Sequence, residues 1–301
     1  MLKEPEGKAP SAHTLKVSAE GAVRFAEISA PPMNLLGPEL VRDLVSLIRD
    51  AEADDSIKVI VFTSADPEYF ISHVDLTQVP AYRAEAAVLT GEASIAALFR
   101  HLSASRLVTI AQIEGRARGA GSEFVLACDM RFAARETAIF AQFEPAFGQV
   151  PGGGGAQYLT RVMGRARALE VMLGADDYDA DLAERYGWIN RALPARELSE
   201  FVRTLAHRIA AFPAPGQASV KDRVNAISLA AREDFRRDSD LFRESVGNAE
   251  TQRLIQAAMK HGLQTRDAER GLPALLVSLS DAGQDRPAST DATAVSTRRA
   301  P

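Results

Sequence analysis

The 301-residue chain has one cysteine, Cys128, and one tryptophan, Trp188. A lone cysteine excludes an intrachain disulfide framework and a cysteine-based metal site within one chain, and it suits a reducing cytoplasm. Aromatic residues make up only 6% of the sequence, no basic stripe is interleaved with them, and the net charge is −5. A dedicated nucleic-acid binder carries a clustered basic excess instead, so no nucleic-acid partner is expected. No apolar run approaches the roughly 20 residues of a membrane span, so no membrane association is expected either. Met1 to His13 carries Lys, Glu, Pro and Gly without an apolar core, which is not the composition of a signal peptide. No internal repeat is evident. What is present, 46% hydrophobic and 25% charged residues, is ordinary for a soluble cytoplasmic protein. The length allows one large domain or two small ones with a sizeable core.

Residues 1–13 and 281–301 read as disordered tails, the second being mostly Ala, Ser, Thr, Asp and Arg. Between them strand and helix signals alternate. Leu15–Val17 and Val23–Ile28 suggest an opening hairpin. Pro38 suits a first helical position, and Leu40, Leu44, Leu47, Ile48 and Ala51 follow at helical spacing. Ile57–Thr63 and Val108–Ile113 read as buried strands, Ile95, Leu98, Phe99 and Leu102 as one face of a helix. Glu123–Cys128 reads as a short helix leading into a strand over Met130–Ala134. Leu159–Leu173 reads as one helix and Ala180–Tyr186 as another, closed by Gly187. Trp188–Ala192 reads as a short strand, and Leu198 to about Leu263 is nearly all helical. The expected organisation is an α/β core over residues 14–215, with a helical region over 216–280 that packs on the core and on neighbouring subunits.

Three segments carry candidate chemistry. In Ile113–Glu123 (IEGRARGAGSE) a strand ends near Gly115, and Gly119 and Gly121 bracket a turn that opens a helix. Glycine permits left-handed angles and close backbone approach. A helix N-terminus offers unpaired N–H groups and partial positive charge, which suit an oxyanion. Glu123 sits in the first turn behind it. A plain strand-to-helix turn with an ordinary first-turn Glu is the other reading. In Phe140–Gly155 (FAQFEPAFGQVPGGGG) Glu144 stands among phenylalanines, where a carboxylate is pushed toward a higher pKa; taken alone, it reads first as a surface-loop Glu. The glycine run after Pro151 lacks the Lys-Ser/Thr ending of a phosphate loop and reads as a flexible lead into a helix. In Glu68–Leu76 (EYFISHVDL) His73 is a candidate, though a lone loop histidine is usually structural.

By order and spacing these segments resemble the crotonase superfamily, also called the enoyl-CoA hydratase/isomerase family. Residues 70–76 match its Phe-x-x-Gly-Ala-Asp-Leu segment at Phe70, Asp75 and Leu76. Residues 115–129 match its glycine-rich segment ending in Glu-Leu…Cys-Asp, and residues 143–161 match at Glu144, Gly148, Pro151, Gly152 and Arg161. Residues 180–190 are similar to its Ala-x-x-Gly-Leu-Val-Asn element.

The resemblance implies an α/β fold, a crotonase-like spiral of ββα units with a C-terminal helical oligomerisation region that builds a homotrimer or a dimer of trimers. It implies an acyl-CoA thioester as substrate and no other cofactor or metal. Val74 and Ala120 match the two backbone donors of the oxyanion hole, Glu123 and Glu144 the paired catalytic carboxylates. Phe70, Ser72, His73, Asp75 and Leu76 fall in the CoA-contacting block, and Gly119, Gly121 and Gly152 are turn glycines. Hydration of a 2-enoyl-CoA to a 3-hydroxyacyl-CoA is the leading activity. A 3-enoyl-CoA isomerase, a CoA-ester or diketone hydrolase or lyase, and a degenerate CoA-binding member are the alternatives. The chain departs from the pattern at His73 for Gly, Val74 for Ala, Ala120 for Gly and Phe143 for Pro. Residues 77–90 are expected to form a mobile part of the acyl-pocket wall, with Phe140, Phe143 and Phe147 either lining it or filling the core.

Overall fold

The computed structural model describes residues 13–284. Strands β1 (Leu15–Glu20) and β2 (Val23–Ile28) form the expected hairpin, followed by α1 (Pro38–Ala53). The chain then winds through repeated turns of one plan: a longer strand, a short strand, then helix. The first is β3 (Val59–Ser64), β4 (Tyr69–Ile71), α2 (Val79–Thr90) and α3 (Ile95–Ala104). The second is β5 (Val108–Ile113), β6 (Arg116–Arg118) and α4 (Ala120–Ala127). The third is β7 (Met130–Ala134), β8 (Ile139–Ala141), a 3-10 turn over Glu144–Phe147, α5 (Gly155–Met163) and α6 (Arg165–Gly174). Next come β9 (Tyr178–Asp179), α7 (Ala180–Tyr186), β10 (Arg191–Leu193) and α8 (Ala195–Ala210). The chain closes with α9 (Ala214–Ser228), α10 (Arg232–Val246), α11 (Ala249–Lys260), α12 (Arg266–Arg270) and α13 (Leu272–Gln284).

The longer strands build a six-stranded sheet in the order β1-β2-β3-β5-β7-β10, parallel beyond the hairpin. The short strands build a second sheet, β4-β6-β8-β9. Alternation along β3 decides which layer each side chain joins. Val59 and Val61 face α8, where Leu198, Val202 and Ala206 cover them, whereas Ile60 and Phe62 face the main core with α1, α3 and α4. Both faces are covered, which is why β3 opens with the continuous apolar run Val59–Phe62 and β5 is mostly apolar.

Several expectations are corrected. Gly164, at φ +80°, breaks the helix expected over 159–173 into α5 and α6. The strand expected from Trp188 begins at Arg191; Trp188 is instead fully buried, with its indole N–H donating to Ser122 Oγ at 3.2 Å. Within residues 77–90, expected as a mobile part of the pocket wall, Val79–Thr90 is helix α2, anchored by buried Tyr82 and Ala86. Helix α13 continues to Gln284, into the stretch read as a tail; residues 1–12 and 285–301 of the expected tails lie outside the described residues. Beyond residue 215, Ala230 and Phe235 belong to the main apolar cluster.

Candidate active site

Strand β6 delivers the chain to Gly119, whose φ of +49° and ψ of −124° are open to glycine and strained for other residues. A side chain there would also meet Glu144 Oε1 at 3.1 Å and His73 Cβ at 3.3 Å. Helix α4 starts at the next residue. Its second position, Gly121, lies so close to β4 that an added Cβ would stand 1.9 Å from the Ile71 carbonyl oxygen. The N-terminus of α4 is thereby pressed against the loop that follows β4. Ala120 keeps a negative φ, so its substitution for glycine leaves the turn intact.

That loop is aligned by a parallel bridge between Leu36 and Val74. Leu36 N–H donates to the His73 carbonyl at 2.8 Å, and the Leu36 carbonyl accepts from Asp75 N–H at 3.2 Å. In such a bridge the middle residue directs its own N–H and C=O away from the partner strand. The Val74 amide is accordingly turned from Leu36, and Val74 lines the same cavity as Ala120. Ala120 holds the first helical position of α4, where a helix leaves its N–H unpaired.

Both candidate carboxylates line this cavity. Glu123 is buried in the first turn of α4. Its Oε1 accepts from the backbone N–H of Gly153 at 2.8 Å and Gly155 at 2.7 Å. The glycine run is thus a cradle rather than a flexible lead: a Cβ on Gly153 would meet Glu123 Oε2 at 2.5 Å, and one on Gly152 would meet the Phe242 ring at 2.6 Å. Glu144 is buried too, with Gln142 Nε2 2.9 Å from both its oxygens, so the surface-loop reading fails.

Burial and then the charge of Glu144 raise the pKa of Glu123 well above the carboxylate range, outweighing its two backbone hydrogen bonds. Burial also raises Glu144, less completely, because Gln142 and the nearby charge of His73 favour its ionised form. Like charges resist joint ionisation, so the negative charge of Glu144 favours a protonated Glu123. A raised folded-state pKa contributes stability that is present below the unfolded value and lost as pH rises through the folded one. Glu123→Gln is therefore expected to match the parent's stability near pH 4 and to exceed it at alkaline pH by more than about 1 kcal/mol. Urea unfolding at the two pH extremes checks this; an unchanged difference would contradict it.

The structure redistributes the CoA-contacting block. Leu76 lines the cavity. Phe70 packs into the core against Phe124, 6.3 Å between ring centres, and Ser72 is buried with its hydroxyl donating to the Met33 carbonyl, so neither side chain is presented to a ligand. Asp75 is spent on its own turn, accepting from Thr77 N–H at 2.9 Å and Gln78 Nε2 at 2.7 Å. His73 reaches the cavity wall but offers it no free nitrogen: Nδ1 lies 2.7 Å from the Val74 carbonyl and Nε2 2.8 Å from Glu269 Oε1. Both partners are acceptors, so the ring carries both protons and a positive charge. Burial opposes that charge, but the Glu269 carboxylate prevails and the pKa is raised.

Glu269, on α12, is a residue the sequence did not single out. It is fully buried, accepts a 3.1 Å hydrogen bond from Gln264 N–H and stands 3.6 Å from Arg118 Nη1. Arg118, also fully buried, donates from Nε to Asp177 Oδ1 at 2.8 Å and from Nη1 to the Glu269 carbonyl at 2.6 Å. This chain of charges ties the C-terminal helices to the loop bearing Val74. Of the phenylalanines left open, Phe143 and Phe147 line the cavity, and Phe140 fills the core against Trp188. Phe143 stacks edge-on to His73 at 5.5 Å. Tyr82, Ile95, Gln149 and Phe242 complete much of the wall.

The ββα spiral thus brings a helix N-terminus, a turned-out amide and two buried glutamates to one cavity, an arrangement suited to an oxyanion beside paired carboxyl groups. The chain belongs to the enoyl-CoA hydratase/isomerase family, whose model matches residues 18–266. It is 31% identical over 250 residues to a protein of Rhizobium meliloti (strain 1021) assigned as an enoyl-CoA hydratase, covering 82% of this chain and 95% of that one. It is 29% identical over 208 residues to the crotonyl-CoA hydratase of Syntrophomonas wolfei, covering 69% and 76%. A crystal structure from Streptomyces avermitilis, assigned as an enoyl-CoA hydratase, is 49% identical, covers 90% of this chain and 99% of its own, and superposes with a TM-score of 0.86.

Proposed function

We propose that the protein hydrates a 2-enoyl-CoA to a 3-hydroxyacyl-CoA. The observation that carries this reading is the presence of both buried glutamates, Glu123 and Glu144, in the cavity that Val74 and Ala120 also line. In the proposed reaction the thioester oxygen sits between the Val74 and Ala120 amides. Water adds its oxygen to C3, one carboxylate takes the water proton, and the carboxylic acid partner gives a proton to C2. Charge accumulates on the thioester oxygen as an enolate, where two preorganised donors and the α4 N-terminus stabilise it; losing one such donor costs about 3–4 kcal/mol of barrier. A dyad sharing one proton supplies both an acid and a base, as addition of water requires. The chemistry needs no resident cofactor or metal beyond the CoA of the substrate.

Loss of 2-enoyl-thioester absorbance on mixing, with a 3-hydroxyacyl product by mass spectrometry, is the expected result. A folded protein that turns over no 2-enoyl chain length would sink the reading. An isomerase would instead convert a 3-enoyl-CoA and retain much activity as Glu123→Gln.

The same reading includes a homotrimer, alone or doubled. Helix α9 buries no residue in the single chain, and Val220, Val224 and Ile227 form an exposed apolar stripe at helical spacing, Ile227 being 85% exposed. Val224→Glu with Ile227→Glu is expected to shift the mass measured by light scattering to that of a monomer; an unshifted mass would remove α9 from the interface. No described helix is long and apolar enough to cross a membrane, and the buried free thiol of Cys128 suits the proposed cytoplasmic location.

A further inference from the structure

Besides the two glutamates, the cavity wall carries two hydrogen-bonding side chains, Arg83 and Gln149. Gln149 is only 5% exposed, yet its Nε2 has no partner among the described residues. Arg83, projecting from α2 into the same cavity, makes one hydrogen bond, from Nη1 to the neutral Ser239 hydroxyl at 3.2 Å. Among the described residues no carboxylate pairs with it. Asp240, whose charge it feels, is engaged with Arg243 at 3.1 Å. The cavity that Arg83 lines is also walled by Leu76, Ile95, Phe147 and Phe242. Burial weakens the hold of the guanidinium on its proton, a sign that water has been partly stripped from the charge without replacement by an anion. A half-buried guanidinium with no counter-charge is improved by an incoming carboxylate, which its fork can grip through two N–H groups. A buried, unpaired amide N–H calls for an acceptor in the same way.

We propose that Arg83, assisted by Gln149, forms a subsite for an anionic group at the far end of the acyl chain, so that the preferred substrates are thioesters of acids carrying a second carboxylate. This rests on the acyl-thioester reading of the cavity. One cation set in an apolar wall fits a single carboxylate at the end of a short hydrocarbon chain. The phosphates of CoA are the other source of negative charge, but they are multiply charged and strongly hydrated, and the cavity wall that Arg83 shares is largely apolar.

The test is equilibrium binding, by calorimetry, of saturated acyl-CoA pairs over a series of chain lengths. One member of each pair ends in a methyl group and the other in a carboxylate. The expected result is a preference of at least about tenfold for the carboxylate-ended member at one or more lengths. The preference should fall to near unity in Arg83→Met, take an intermediate value in Arg83→Lys, and shrink several-fold in Gln149→Leu. Binding without preference at any length, or a preference that survives in Arg83→Met, would overturn the proposal. The measurement is repeated with N-acetylcysteamine thioesters, which lack the phosphates. Retention of the Arg83-dependent preference places the anion on the acyl chain. If Arg83 matters only when the phosphates are present, it binds CoA and the proposal falls. Saturated ligands cannot be hydrated, so failure of turnover with this preference intact would contradict the hydratase reading alone. Failure to bind any acyl-CoA would remove the acyl-thioester reading and the proposal with it.

Discussion

Replacing Glu144 by Gln is expected to lower turnover of a 2-enoyl-CoA by roughly 10²–10⁴-fold, while the affinity for a saturated acyl-CoA stays within a few-fold. The amide keeps the size and much of the hydrogen-bonding capacity of the carboxylate but cannot carry a proton between water and carbon. Glu123→Gln should lose a comparable factor, because each glutamate needs the other to complete the proton transfers. The double variant should then lose much less than the product of the single losses, as groups that act as a unit do. Steady-state kinetics on the three variants, paired with calorimetric binding, checks this. Turnover within a few-fold of the parent in Glu144→Gln would show that the pair is not the acid-base machinery.

The largest stability change is expected at Glu269, outside the glutamate pair. Glu269→Ala should destabilise the fold by about 3–5 kcal/mol, because it leaves the His73 imidazolium and the Arg118 guanidinium buried with an uncompensated share of charge. Its pH dependence has a definite sign. Burial opposes ionisation of Glu269, but His73 and its hydrogen bonds win and hold the pKa below the ordinary 4.5. That contribution is present above 4.5 and fades as pH falls through the lower folded value. The pKa of His73 is raised above the ordinary 6.5, so its contribution is present below 6.5 and fades as pH rises through the higher folded value. The gap between parent and Glu269→Ala should therefore be widest between 4.5 and 6.5. Adding His73→Gly, the residue the family pattern places there, should recover part of the loss by removing the orphaned cation. Denaturant unfolding across pH checks both statements; a gap below about 1 kcal/mol would show the ion pair to be energetically idle.

The parts of this molecule that were legible in its sequence are those with a period or a steric demand. The strands β3 and β5 announced themselves as mostly apolar stretches because both faces of the large sheet are covered. The turn at Gly119–Gly121 announced itself because one glycine must take positive φ and the other must lie against the Ile71 carbonyl. The second sheet was not legible, since β4, β6 and β8 have three residues each and too few to show alternation. Nor was the cradle at 152–155, because glycines that admit a neighbouring Glu123 and Phe242 look like glycines in any flexible stretch. The His73–Glu269 pair joins positions 196 residues apart, and Arg118 reads as a surface cation in a three-residue strand; only the fold brings them together. His73 gave the one hint, as a bulky residue where the family pattern has glycine.

Whether the Val74 and Ala120 amides receive the thioester oxygen beside the glutamate pair is tested most directly by a crystal structure with a bound saturated acyl-CoA. The expected result is a thioester oxygen within about 3.1 Å of both amide nitrogens, with the Glu123 and Glu144 carboxyls facing C2 and C3. A thioester bound elsewhere in the cavity, or held by only one of the two amides with its β-carbon turned away from both glutamates, would contradict it.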